Sequence, residues 1–392
     1  MQEWKVYEFK ELVNLSKEKY NPKNETMNLP CIELEHIESE TGRLLGYTDS
    51  IEQQSIKNKF KANDILYGKL RPYLRKFYFP NFEGVCSSEI WVLQSIEEKI
   101  HNKYLYYLIQ TNKFNEHANK SSGTKMPRAD WNYISEITFP IPPIKEQQKI
   151  ASILSTWDKA IELKEKLIEQ KKQQKKGLMQ KLLTGEVRLP GFKGKWKEVR
   201  IKDLGTLKGG SAFPEKYQNV ISGKYPFFKV SDMNNEENEK YMLNANNYIN
   251  EESVSEIKAT IIPKNSIIFA KVGAALLLER KRILKYDSCI DNNMMALIVK
   301  ENIDFNYVYY LLLNMKLSRF SNVGALPSLN SNDVYSLKCR LPMDYDEQKA
   351  VAELLSLFDK EINLLQNELI QIKQQKKGLM QLLLTGKVRV KV

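Results

Sequence analysis

The sequence predicts an α+β protein: two similar α/β domains, each followed by a long helix, with the two helices antiparallel and the halves related by internal pseudo-two-fold symmetry. Three observations predict it. The segment Lys-Gln-Gln-Lys-Lys-Gly-Leu-Met-Gln at 172–180 recurs letter for letter at 373–381, inside a longer copy in which 146–188 aligns without a gap on 347–389 and about 25 of 43 positions are identical. Both copies lie in proline-free stretches rich in Lys, Gln, Glu, Leu and Ile, all strong helix formers. The stretches before each copy also echo one another faintly. Solenoid repeats have units of only about 20–50 residues, so a repeat offset of 201 residues means two half-molecules in series.

The first domain, 1–143, mixes strands and helices. Ile65-Leu66-Tyr67 and Ile90-Trp91-Val92-Leu93 are short β-branched and aromatic runs bounded by turn formers, as strands are. The segment 104–110 reads as helical, and Pro140, Pro142 and Pro143 stop any element from running on. A conserved-type long helix fills most of 144–188, with Gly185 as its C-cap and Pro190 barring continuation. At about 40 residues it would be roughly 60 Å long. The second domain, 189–343, matches the first in outline: Trp196 answers Trp4, 265–271 answers 63–69, and 307–311 answers 104–108. The second long helix, in 344–392, ends on Thr385-Gly386 as the first ends on Thr184-Gly185.

Val351, Leu355, Phe358, Ile362, Leu365, Leu369 and Ile372 alternate in steps of four and three, a coiled-coil seam. Ile150, Leu154, Trp157, Ile161 and Ile168 match it, with Lys164 and Lys171 interrupting. Such seams pair the helices with each other; packing of each on its own domain is the other reading. Gly177 and Gly378 each cost a helix interior about 1 kcal/mol relative to Ala. Their paired retention points to close approach of another backbone.

The composition narrows the function. A net charge of +12 and a pI near 9.2 suit a polyanionic partner such as nucleic acid. Four scattered cysteines without a C-x-x-C pair and only three histidines argue against a zinc ribbon, a disulfide scaffold and a His-rich metal site. No secretory leader and no apolar run of membrane-spanning length stand out, so the cytoplasm is the expected location. Walker, H-E-x-x-H, G-x-S-x-G and amino-methyltransferase motifs are all missing, so no catalytic residue is assigned.

With these features the chain resembles the specificity subunits (S, or HsdS) of type I restriction–modification systems. The resemblance spans essentially the whole chain. It rests on the Pro-x-x-Glu-Gln opening at Pro143–Gln147, on its proline-less version at 343–348, and on the duplicated Lys-Lys-Gly-Leu-Met-Gln motif at 175–180 and 376–381. It implies a non-catalytic subunit with two target-recognition domains, each reading one half of a split double-stranded DNA site, with the helices setting the spacer. It further implies that two adenine methyltransferase subunits dock on the helices at Lys175, Lys176, Gly177, Met179, Lys376, Lys377, Gly378 and Met380, and that restriction subunits join this core. S-adenosylmethionine, and ATP and Mg for restriction, would be bound by those partners. A stand-alone DNA-binding regulator or architectural protein is the alternative.

Basic, aromatic-flanked loops are where DNA contacts are expected. In the first domain these are Tyr67, Lys69, Arg71, Arg75 and Lys76, then Lys120, Lys125 and Arg128, with Ser87 and Ser88 between them. In the second they are Lys271, Arg280, Lys281, Arg282 and Arg319, and three asparagines suited to pairing with adenine: Asn292, Asn293 and Asn330. Ser87-Ser88 falls near the place of Asp291-Asn292-Asn293, the kind of divergence two different half-sites require.

Overall fold

The computed structural model describes residues 3–120, 126–321 and 327–391. The compact bodies cut across the serial order of the sequence: one unit is Met1–Lys166 with Asn367–Val392, the other Leu167–Gln366. Each unit therefore contains a mixed α/β domain, the first part of the helix that follows it, and the last part of the other long helix.

In the first unit, Lys5–Glu8 pairs antiparallel with Thr138–Ile141. A four-stranded sheet runs in the order Val13–Leu15, Ile90–Ser95, Ile65–Gly68, Phe77–Tyr78, and a five-stranded sheet is centred on Gly84–Cys86. Successive side chains of a strand point to opposite faces, and both faces of the central strands are covered. Ile65, Tyr67, Trp91 and Leu93 join a core with the helix Asn102–Leu108. Leu66, Ile90 and Val92 join a second core with Ile32, Phe60 and Cys86 of the neighbouring sheet.

The second unit repeats this plan. Trp196–Arg200 pairs with Lys338–Pro342. A five-stranded sheet runs Gly205–Gly209, Met294–Val299, Ile267–Ala270, Lys281–Leu284, Tyr241–Met242. Ile267, Phe269, Met295 and Leu297 face the helix Phe305–Asn314, while Ile268, Met294 and Ala296 face the opposite core.

The long helices span Ile144–Thr184 and Tyr345–Leu384. Gly185 and Gly386 follow them in the left-handed region (φ 73° for both), as helix-ending glycines do. A Cβ on Gly185 would meet the Trp196 ring at 3.1 Å, and one on Gly386 the Trp4 ring at 3.3 Å. Within each unit the helix segments run antiparallel. In the first, Lys164 pairs with Glu368 and Glu165 with Lys373, both at 2.7 Å, and Asp158 pairs with Lys376. In the second, Lys171 pairs with Glu361 at 2.6 Å and Lys175 with Asp359. The two lysines that interrupt the apolar seam are thus matched by glutamates. At its outer ends the seam merges into the domain cores: Ile150 and Leu154 with Leu383 and Leu384, Val351 and Leu355 with Leu182 and Leu183. Seam pairing and packing on the domain are both realised, on successive turns.

Candidate nucleic-acid interface

Three loops converge at one edge of the central sheet in each unit. In the first, the chain leaving Ile65–Gly68 is tied to 127–129: the Arg71 N–H donates to the Pro127 carbonyl (2.7 Å) and the Ala129 N–H to the Lys69 carbonyl (2.9 Å). The Lys69 N–H donates to the Glu89 carbonyl (2.9 Å), which brings in the loop of Ser87 and Ser88. The second unit reproduces each tie. The Gly273 N–H donates to the Pro327 carbonyl (2.8 Å), that of Leu329 to Lys271 (2.8 Å), and that of Lys271 to Asn293 (2.9 Å). The backbone ties correspond and the side chains differ. Glu89 accepts three hydrogen bonds of 3.0–3.2 Å from Arg128, while the matching positions of the second unit hold Asn293 and Ser328. The Arg128 guanidinium, hydrogen-bonded to Glu89, holds that carboxyl below its usual range.

The expected DNA contacts divide on this geometry. Lys69 lies 4.0 Å from Glu89, Arg75 donates to Asn112 (3.0 Å), and Lys76 donates to the Leu34 carbonyl (2.6 Å). Arg71, Ser88, Lys120, Asn292, Asn293 and Arg319 are exposed, and Ser87 and Lys271 half-buried. Lys125 lies outside the described residues.

Four assignments are corrected. Tyr67 is fully buried in the core, its hydroxyl 3.3 Å from Asn115, because strand alternation turns it toward the helix. Lys281 is buried against Glu279 and the Met315 carbonyl (3.0 Å), and desolvation pulls its ammonium below the usual range. Arg282 is half-buried, donating to the Lys281 carbonyl at 2.9 Å, and desolvation lowers its pKa too. The Asn330 side-chain Oδ1 caps the helix Ser331–Ser336 by accepting from the Asp333 N–H (2.9 Å), a structural task. Arg280, half-buried, donates to Asn234.

The copied helix residues explain themselves inside each unit. Glu146 accepts from Arg389 (2.7 Å) and from the Trp4 indole (3.3 Å); Glu347 accepts likewise from Arg188 (2.9 Å) and Trp196 (3.2 Å). Gln147 accepts from the His101 N–H (2.7 Å) and donates to the Lys99 and Pro142 carbonyls. Gln348 binds the Asp304 N–H (2.9 Å) and the Pro342 carbonyl (2.8 Å). The Glu-Gln pair is thus a latch between helix start and domain, a role that motif copying alone did not reveal.

Lys376 pairs with Asp158, which also accepts from Tyr107 (2.6 Å); Lys175 pairs with Asp359, which accepts from Tyr310 (2.5 Å). Met179 and Met380 pack partly buried against their units' cores. Lys176 and Lys377 are exposed, and a Cβ on Gly177 or Gly378 would meet nothing within 4 Å. The backbone approach expected at these glycines is therefore absent within the described chain.

Among the described residues no helix is long and apolar enough to cross a membrane, and no cluster of three or more His, Cys, Asp or Glu could hold a metal ion. The family model for the type I restriction modification DNA specificity domain matches twice, over 1–173 and 193–374. The putative type I restriction enzyme MjaX specificity subunit of Methanocaldococcus jannaschii is 27% identical, over 100% of this chain and 95% of its own. The EcoR124I/EcoR124II specificity subunit of Escherichia coli is 26% identical, over 81% and 77%. A solved chain from work on complex assembly and conformational transition of the type I R-M system has the same fold at TM-score 0.68, with 15% identity and 98% of both chains covered. The S subunit from M. genitalium matches at TM-score 0.56, with 16% identity and 97% and 96% covered.

Proposed function

The chain belongs to the type I restriction modification DNA specificity family, and from that premise we propose that it is a non-catalytic subunit reading a bipartite DNA site, one half per unit. Its long helices hold the two readers and seat two adenine methyltransferase subunits, through which restriction subunits join. S-adenosylmethionine, and ATP and Mg for restriction, belong to those partners. The observation that carries this reading is the pair of loop clusters, alike in backbone ties and different in side chains, as at Glu89 and Asn293. Like scaffolds with unlike surfaces suit two different half-sites. Phosphate contacts from the exposed cations would fix register, and side chains reaching base edges would specify sequence.

Replacing 1–143 with the corresponding domain of another family member, keeping 144–392, is expected to change one half of the methylated motif. Single-molecule sequencing of host DNA should show the other half and the spacer unchanged; two altered halves would contradict the proposal.

The methyltransferase seats are proposed to include the open glycine faces, flanked by Lys176 and Lys377. Gly177→Leu with Gly378→Leu should leave the subunit's melting temperature unchanged or raised, since Leu is the better helix former. Assembly should nonetheless weaken roughly 5- to 150-fold, the effect of about 1–3 kcal/mol of overpacking. Unaltered co-elution with the methyltransferase at limiting concentration would remove these glycines from the seat.

A further inference from the structure

We propose that Arg71 is a specificity-determining residue, reading a guanine in the half-site recognised by the first unit. The proposal rests on the DNA-reading function above and deepens it. The positions after Leu70 and Val272 both have positive φ, 51° at Arg71 and 71° at its counterpart Gly273, while ψ differs, 61° at Arg71 and −161° at Gly273. Both N–H groups make the same tie, to Pro127 and Pro327 respectively. The loop geometry therefore demands positive φ, which glycine adopts freely and a residue with a Cβ adopts at a cost. Gly273 shows that a glycine at this position keeps the tie to the neighbouring loop. An arginine held there against its backbone preference is explained by what its side chain does, which is the inference that backbone outliers license.

Among the described residues the Arg71 guanidinium has no partner. Of the four cations in 69–76, Lys69 faces Glu89, Arg75 binds Asn112, and Lys76 binds the Leu34 carbonyl. Arg71 alone among them has no side-chain hydrogen bond or ion pair with any described residue, and it is exposed. Its backbone is nevertheless fixed on both sides. The Leu74 N–H donates to the Arg71 carbonyl (2.9 Å), and Leu70 bridges Arg128. An anchored base bearing an unpaired planar fork matches the two acceptors, O6 and N7, that guanine presents in the major groove. Gly273 offers no such fork, so the second unit reads its half-site with other side chains.

The experiment uses the subunit assembled with its methyltransferase partners, as wild type, Arg71→Gly and Arg71→Lys. The wild-type motif is first mapped by methylome sequencing; a motif without two parts would sink the functional reading itself, independently of Arg71. Binding is then measured to the cognate duplex and to duplexes with each base pair replaced singly. Wild type should discriminate by about 5- to 150-fold at one G·C pair of one half-site, the range of a good bidentate contact. Arg71→Gly should lose discrimination at that pair only and melt no lower than wild type, while Arg71→Lys, which can still donate to O6 and N7 but lacks the planar fork, should keep only part of it. Uniformly weaker binding with an intact discrimination profile, and a salt slope reduced by about one, would make Arg71 a phosphate contact and overturn the proposal. So would an unchanged profile, or a lowered melting temperature for Arg71→Gly.

Discussion

Alanine at Leu383 and Leu384, near the C-terminus, is expected to open the domain at the N-terminus of the chain. Both leucines are buried in the core that contains Phe9, Tyr67 and Tyr104, and belong to the first unit with Asn367–Val392. A buried Leu→Ala change costs about 2–5 kcal/mol, so the pair removes an amount comparable with the roughly 5–15 kcal/mol that holds a domain folded. Hydrogen exchange read by mass spectrometry should show protection lost across 3–120 and retained across 195–321. The mirror variant, Leu182→Ala with Leu183→Ala, should reverse the pattern, because those leucines lie in the second unit's core. Loss of protection in 195–321 from the Leu383/Leu384 variant would contradict this assignment.

That exchange of helix ends was only half legible in the sequence. The copied segments and their terminal glycines located both helices, since a proline-free run of helix formers closed by Gly allows little else. The charges at Lys164 and Lys171 looked like flaws in a seam. Their meaning depends on Glu368 and Glu361, which come close only once the antiparallel register is known. Tyr67 looked like an aromatic flanking a basic loop, yet it sits in a strand covered on both faces, where even an alternate residue is buried. The exposed part of the interface was harder still. A left-handed residue leaves no trace in composition when it is arginine; the basic loop put Arg71 among several candidate cations, and its backbone conformation and unpaired side chain set it apart from them. Repetition thus told which residues were held alike, while geometry was needed to tell holding the fold together from meeting a partner.

The latch at Glu146 provides the sharpest pH-dependent expectation. Its carboxylate is buried, with the Arg389 guanidinium making two 2.7 Å bonds to it and the Trp4 indole a third at 3.3 Å. The hydrogen-bonded Arg389 holds the Glu146 pKa below its ordinary value of 4.5. A folded-state pKa below the unfolded one means that the stabilisation is fully present above the unfolded value and is lost as pH falls through the folded one. Glu146→Gln keeps the shape but removes the charge opposite a half-buried arginine. It should therefore lower the stability of the first unit at pH 7 by about 1–2 kcal/mol, between the roughly 0–1 kcal/mol of an exposed pair and the roughly 3–5 kcal/mol of a fully buried pair broken on one side. The gap between wild type and variant should narrow below about pH 4.5, as the wild-type carboxylate is itself protonated. Removing both partners, Glu146→Gln with Arg389→Met, should recover part of the loss, because no half-buried charge is then left without its counterpart. Denaturant melts across pH 3–8, with hydrogen exchange to locate the change, would check this; a wild-type-to-variant gap that did not vary with pH would show that the latch holds by shape rather than by charge.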